Sequence, residues 1–476
     1  MYFFFNRNQG MHDQVEALKW IQNFIGSFGG NKDNVTIMGE SAGAMSCFLH
    51  YVSPLSKGLF HKVVALSGSA STPFLHNDRK PALYARRFAK EFGLNSDAPA
   101  KTLVEQLQIF SEKDIVKKTT VFKDWDNTLP LPWKPGLDTH AINPFMPISF
   151  EDAIHSGNFN KKIPILAGTM GEEGLILSAP FHKSSKRWKL FFRQWDKWAP
   201  QLFFNREAEL ITESDVAIVD RAFRHYFPIE AAGGSSNRPN DLEAQQSIEE
   251  DDAIPVSGPS AADSLQLNEK YVIPQYTDAN LKKLEELLTT SWFHAPLVND
   301  LERLVSAGSI AYTFKFCYQG SFSMVDIFRL PTLKMGLNLV GRYLGMKFYR
   351  KKLGTCHSDD LVYIFPMKRL PKPLVTDKDV HMSSLLTSYI TNFAKFGTPT
   401  PKRNDANETQ LFTWPTVKSC ENDTVLFDEE GNVTAQKDKD EDRNHVWKNL
   451  IDKHSFRTAS TQIINLHAKV AEFRNN

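Results

Sequence analysis

The sequence predicts an α/β fold: a mainly parallel sheet with helices packed on both faces. Short apolar runs at 35–38 (Val-Thr-Ile-Met), 62–66 and 163–167 have the length and β-branched content of buried strands. Helical stretches separate these runs, and 311–316 alternates apolar and polar residues as a later strand. Strands alternating with helices bury both sheet faces, which is the parallel arrangement. A chain of 476 residues with 41% hydrophobic and 23% charged residues can bury a large core.

The elements follow in order. Met1-Tyr-Phe-Phe-Phe is apolar, but Asn6, Arg7 and Asn8 interrupt it at once, too early for the apolar region of a secretory signal. Residues 8–10 read as a turn. Asp13 and Glu16, three positions apart, have capping-box spacing for a helix carrying Val15, Leu18, Ile21, Phe24 and Ile25. Gly29-Gly30-Asn31 ends that helix, the 35–38 strand follows, and 42–51 reads as a second helix. Residues 231–263, rich in Ala, Gly, Ser, Pro and acidic side chains, predict a disordered insertion within one domain spanning 1–476. Residues 437–443 form a charged loop.

Composition narrows the partners. A formal net charge of +1 gives no electrostatic case for nucleic acid. No apolar stretch is long enough for a transmembrane segment. The four cysteines, Cys47, Cys317, Cys356 and Cys420, are scattered and read as free thiols with no metal framework.

The chemistry centres on Gly39-Glu40-Ser41-Ala42-Gly43, set between the 35–38 strand and the 42–51 helix. A serine on a tight strand-to-helix turn is lifted out of the sheet, at the positive end of the following helix. The flanking glycines let strand and helix backbones cross closely. Such a nucleophile needs a base and an acid to orient it. His357 sits in Gly354-Thr-Cys-His-Ser-Asp-Asp360, a polar loop before an apolar run. Asp359 and Asp360 lie so close to it in sequence that they read more naturally as caps of the next segment. The acid is better sought just after the 163–167 strand, where Glu172 or Glu173 could accept the imidazole N–H.

These segments resemble the carboxylesterase/cholinesterase family of α/β-hydrolases. The likeness rests on 8–20 (Asn-Gln-Gly-Met-His-Asp-Gln-Val-Glu-Ala-Leu-Lys-Trp), 28–44 around Ser41, Leu66-Ser-Gly-Ser69 and Glu173-Gly174. It continues through 354–365, 392–399 and Trp414-Pro415, and Gly354-Thr-Cys-His-Ser-Asp-Asp-Leu361 is most like insect α-esterases. The resemblance implies the α/β-hydrolase fold and selects Glu173 as the acid of a Ser41–Glu173–His357 triad. It further implies an oxyanion donor at the Ala42 N–H, supporting roles for Glu40 and Ser67 behind the triad, and an acyl pocket drawing on Leu131 and Trp133. The implied reaction is hydrolysis of small to medium carboxylic esters, xenobiotic or lipid, through an acyl-enzyme, with no metal or organic cofactor. The alternative is a catalytically inactive, cholinesterase-like adhesion or scaffold protein, a kind that typically lacks a triad member.

The family's Gly-Gly oxyanion loop precedes the segment matched near Asn8, and no His-Gly-Gly lies upstream of Ser41. The expectation is therefore an N-terminally truncated chain, without the first strands and oxyanion loop, and weak in activity for that reason. Compartment and oligomeric state are left open.

Overall fold

The computed structural model describes residues 8–75, 81–122, 131, 133–139, 141–205, 211–228, 271–325, 352–367, 374, 376–401, 413–418, 423–437, 444 and 447. The expected insertion at 231–263 and Cys420 lie outside them. The chain divides into two compact units. The first comprises residues 1–79, 133–188 and 276–476; the second comprises 80–132 and 189–275.

The first unit is built on a six-stranded sheet in the order β1 to β6. Its strands are β1 (Thr36–Glu40), β2 (Lys62–Leu66), β3 (Ile165–Met170), β4 (Ala311–Phe316), β5 (Asp423–Phe427) and β6 (Val433–Lys437). The first five pair in parallel, Glu40 beside Leu66 and Met170 beside Phe316, and only β6 runs antiparallel. Parallel neighbours place their carboxyl ends together, where α/β proteins gather chemistry.

Helices in chain order are α1 (Gln9–Phe24), α2 (Ala42–Val52), α3 (Pro81–Glu91), α4 (Ala100–Leu107), α5 (Glu112–Lys118), α6 (Phe150–Ser156) and α7 (Leu175–Ser178). They continue with α8 (Ser185–Arg193), α9 (Trp195–Phe204), α10 (Glu213–Tyr226), α11 (Asp278–Thr289), α12 (Ala295–Ser306), α13 (Leu361–Ile364) and α14 (Asp377–Phe396). A π-helical turn, Thr290–His294, joins α11 to α12.

Strand alternation explains the layers. Val63 and Ala65 of β2 and Ile165 and Ala167 of β3 pack against Phe48 of α2, Ile154 of α6 and Leu301 of α12. The opposite side of the sheet, with Val64, Leu66, Leu166 and Phe314, packs against Met382, Leu386 and Phe393 of α14. Helices on both faces of a mostly parallel sheet are the α/β-hydrolase arrangement that the sequence implied.

The second unit is helical among its described residues. Its densest packing is aromatic: the rings of Phe192 and Trp195 stack at 5.3 Å, and Phe223 and Phe227 meet them edge-on.

The start of α1 departs from the sequence reading. Gln9 and Gly10 are helical rather than part of a turn, so Asp13 lies inside the helix and forms no capping box with Glu16. Tertiary bonds outweigh that local motif. Asn8, in a left-handed conformation (φ 61), donates from its amide to Gly136 O (2.8 Å) and Asp138 Oδ2 (3.0 Å) and accepts from Gly136 N–H (2.9 Å). The buried face of the helix is Met11, Val15 and Leu18, whereas Phe24 is exposed.

Candidate active site

Ser41 occupies the single residue between β1 and α2, with φ 55 and ψ −118. A non-glycine residue in this conformation stores about 1–3 kcal/mol of strain, retained where the surroundings over-determine it. The surroundings here are specific. Ser41 N–H donates to Leu66 O at 2.8 Å, and Met45 N–H returns a bond to Ser41 O at 3.0 Å. Gly39 is required by the crossing itself, because a Cβ there would lie 2.2 Å from the carbonyl carbon and oxygen of Gly43. Ala42 opens α2, so its N–H has no intrahelical partner and remains available to an anion.

The acid and the histidine meet at the carboxyl ends of β3 and β4. Glu173, fully buried on the turn after β3, accepts from Met170 N–H through Oε1 at 2.8 Å. Its Oε2 accepts from His357 Nδ1–H at 2.6 Å. The adjacent Glu172 turns to Thr355 instead. His357 is itself buried, and the Phe293 ring lies against it with centroids 4.8 Å apart. Phe293 belongs to the π-helical turn, a departure from α geometry that recurs at functional sites.

Glu40 links the serine and the histidine. It directly precedes Ser41 in the chain, and its Oε1 lies 3.2 Å from His357 Nε2. The Ser358 hydroxyl donates to the same oxygen at 2.6 Å. Both imidazole nitrogens therefore face carboxylates, an arrangement that suits the doubly protonated ring. Burial opposes that charge, but Glu173 and then Glu40 outweigh it and hold His357 above its ordinary range. No hydrogen bond joins Ser41 Oγ to His357, whose Nε2 is on Glu40.

The remaining expected residues fall as follows. Ser67 is fully buried with φ 55, donates its N–H to Gly168 O at 2.8 Å, and leaves its hydroxyl unpaired. Leu131 and Trp133 are 38% and 55% exposed, so neither side chain is buried. Asp359 accepts from Met324 N–H (2.5 Å) and Cys356 N–H (2.8 Å), bracing the histidine loop. Asp360, read from sequence as a cap, stands at the start of α13 but makes no cap bond. It is fully buried with both carboxyl oxygens unpaired, and burial, then Glu40 and Glu173, push its pKa well up.

A polar cavity of about 190 Å³ adjoins the acid turn, lined by Glu172, Glu285, Glu286, Lys282, His294 and Lys315 among others. Burial, reinforced by Glu172, pushes Glu285 up to about 9. Among the described residues, no three His, Cys, Asp or Glu side chains are arranged to hold a metal ion. No described helix is long and apolar enough to cross a membrane.

The carboxylesterase family model matches residues 5–447. The chain belongs to the carboxylesterase family. A carboxylic ester hydrolase of Bombus ignitus is 35% identical over 211 residues, covering 44% of this chain and 37% of that protein. The juvenile hormone esterase of Tribolium castaneum is 24% identical over 406 residues, covering 83% of this chain and 59% of that one. These alignments thus span between about a third and three fifths of the curated relatives. Among solved structures, juvenile hormone esterase from Manduca sexta, with OTFP covalently attached, superposes with a TM-score of 0.61 at 20% identity. That superposition covers 94% of this chain and 70% of the moth enzyme. A thermophilic PNB esterase gives 0.57 at 20% identity, over 92% and 68% of the two chains. At that identity these likenesses show the fold alone.

Proposed function

We propose that the protein is a serine carboxylic ester hydrolase working through an acyl-enzyme. The observation that carries this reading is the 2.6 Å bond from His357 to the buried Glu173, formed beside the strained Ser41 turn. A buried carboxylate on Nδ1 fixes the tautomer that leaves Nε2 free to act as a base. In the reaction, neutral His357 turns Nε2 from Glu40 to Ser41 Oγ and takes its proton as Oγ attacks the ester carbonyl. The tetrahedral oxygen receives the Ala42 N–H. His357 then gives the proton to the leaving alcohol, and the same base activates a water that releases the acid. Glu173 keeps its bond to Nδ1–H throughout and stabilises the imidazolium.

Family membership and relatives named as ester hydrolases support small to medium carboxylic esters as the substrate class, xenobiotic or lipid. All three triad positions are filled, which favours an enzyme over an inactive scaffold. A fluorophosphonate probe tests the assignment. It is expected to label Ser41 covalently, with p-nitrophenyl ester turnover lost together with labelling in Ser41→Ala. Turnover retained in that variant removes Ser41 from the mechanism.

A further inference from the structure

Glu172 carries no role in the chemistry described above, yet its side chain is tied to the loop that carries His357. Its Oε2 accepts from Thr355 N–H at 2.7 Å, and the Thr355 hydroxyl lies 3.1 Å from the same oxygen. The Glu172 N–H donates in return to Thr355 O at 3.0 Å. Thr355 is almost fully buried, and its hydroxyl also accepts from Gly171 N–H at 3.0 Å and reaches Phe316 O at 3.0 Å. The approach is so close that only glycine fits at 354. A Cβ there would lie 2.5 Å from the Glu172 carboxyl carbon, and φ is +131.

The spacing of these bonds is the informative point. Glu172 meets Thr355 and Glu173 meets His357, so two neighbouring carboxylates grip the same loop two residues apart. The Glu173–His357 bond joins two side chains and is free to lengthen if the loop shifts. The Glu172–Thr355 bonds act on the loop backbone, which sets the height at which the imidazole is presented. We propose that Glu172 is a positioning residue that holds the loop carrying His357 in register with Glu173. This rests on the triad reading above.

The rest of the loop is anchored independently of the Glu172 side chain. Asp359 binds Met324 and Cys356, and the Gln319 amide donates to Gly354 O. Glu172→Ala also keeps the backbone bond to Thr355 O, so the variant retains its fold, checked by circular dichroism. Glu172→Gln keeps an oxygen able to accept from Thr355 and is the conservative rescue. Thr355→Val removes the hydroxyl but keeps the Thr355 N–H contact, and is expected to fall between them.

The test compares wild type, Glu172→Ala, Glu172→Gln and Thr355→Val by two readouts. One is the rate of fluorophosphonate labelling of Ser41 from pH 5 to 9. The other is the downfield proton resonance of the His357 Nδ1–H shared with Glu173. Glu172→Ala is expected to slow labelling about 10- to 100-fold on the plateau, the scale of a small misplacement of catalytic groups. Its acid limb is expected to move to lower pH and its downfield resonance to weaken, because the imidazolium loses part of its carboxylate partner. Glu172→Gln is expected to stay within a few-fold of wild type. A Glu172→Ala protein with wild-type resonance, limb and rate overturns the proposal. So does a Glu172→Gln protein as impaired as Glu172→Ala, since that would assign the effect to charge. If wild type does not label, or Ser41→Ala labels equally, the esterase reading fails, while the resonance still decides whether Glu172 sets the register.

Discussion

Replacing Glu40 by Gln removes one of the two carboxylates that face His357 while keeping the length and hydrogen-bonding capacity of the side chain. The 3.2 Å separation between Glu40 Oε1 and His357 Nε2 lies inside the range where an opposite charge moves a pKa by about 1–3 units. The Glu40 side chain keeps 18% exposure, so solvent screening places the expected shift at the low end, about 1 unit or ~1.4 kcal/mol. The sign follows from the mechanism. Protonated His357 cannot accept the Ser41 proton, so reactivity is lost as pH falls through its raised pKa. Removing a stabilising carboxylate lowers that pKa and moves the acid limb to lower pH. One unit below the wild-type midpoint, wild type retains about a tenth of its plateau rate and Glu40→Gln about half. The assay is the second-order rate of fluorophosphonate labelling across pH 5–9, each protein normalised to its own plateau. An unmoved limb, or one displaced upward, refutes the claim that Glu40 supports the imidazolium.

Gly39→Ala drives a Cβ to 2.2 Å from the Gly43 backbone, and is expected to cost at least about 1–3 kcal/mol in urea denaturation and to disturb Ser41 labelling. His50 is buried with Nε2 near Gln14 Oε1 (2.9 Å) and Nδ1 near Ser56 Oγ (2.7 Å), and burial pushes it down to about 4. Its neutral form is therefore preferred in the fold, the stability it supports is complete above pH 6.5, and up to ~3 kcal/mol is lost as pH falls to 4. His50→Gln is expected to show a correspondingly smaller drop over that window in the same denaturation assay. Asp360→Asn leaves a neutral group where a neutral carboxyl is favoured, so its labelling rate is expected within a few-fold of wild type. Glu173→Gln, by contrast, is expected to lose about 10³–10⁴ in p-nitrophenyl ester turnover, because the amide no longer fixes the tautomer of His357.

The sheet was legible where a strand is an apolar or an alternating run. Residues 62–66 and 311–316 are strands at the expected limits, and the 163–167 strand begins two residues later than read. Strands β5 and β6 were not: Val433-Thr-Ala-Gln-Lys437 is mostly polar, and both strands gain order by pairing, β5 with β4 and β6 with β5. The helix start at Asn8 was hidden for a related reason, since its partners Gly136 and Asp138 lie more than 120 residues away. In the site, spacing alone left Glu172 and Glu173 open and only the family resemblance selected Glu173, whose carboxylate accepts from His357 Nδ1–H. Adjacent side chains on a turn diverge, and only the three-dimensional path of the histidine loop decides which one meets the imidazole. Phe293 was invisible because its place against His357 depends on the turn between α11 and α12 being π-helical.

The site also has a charge problem that its backbone resolves. Glu40 and Glu173 meet the imidazole of His357, and Asp359 and Asp360 follow it on the same loop, in a space where burial penalises charge. Each is differently provided for. Glu173 has the Met170 N–H and the His357 Nδ1–H, Asp359 has two backbone N–H groups, and Glu40 has the Ser358 hydroxyl and His357 Nε2. Asp360 has none, and burial, then Glu40 and Glu173, push its pKa well up. Keeping Asp360 neutral limits the negative potential at His357 to that of the carboxylates bonded to it or to its loop. A further buried negative charge would raise the pKa of His357 further. The division of labour among the four carboxyl groups thus follows from which of them find hydrogen-bond donors, and on the proposed mechanism it tunes how readily His357 can take the Ser41 proton.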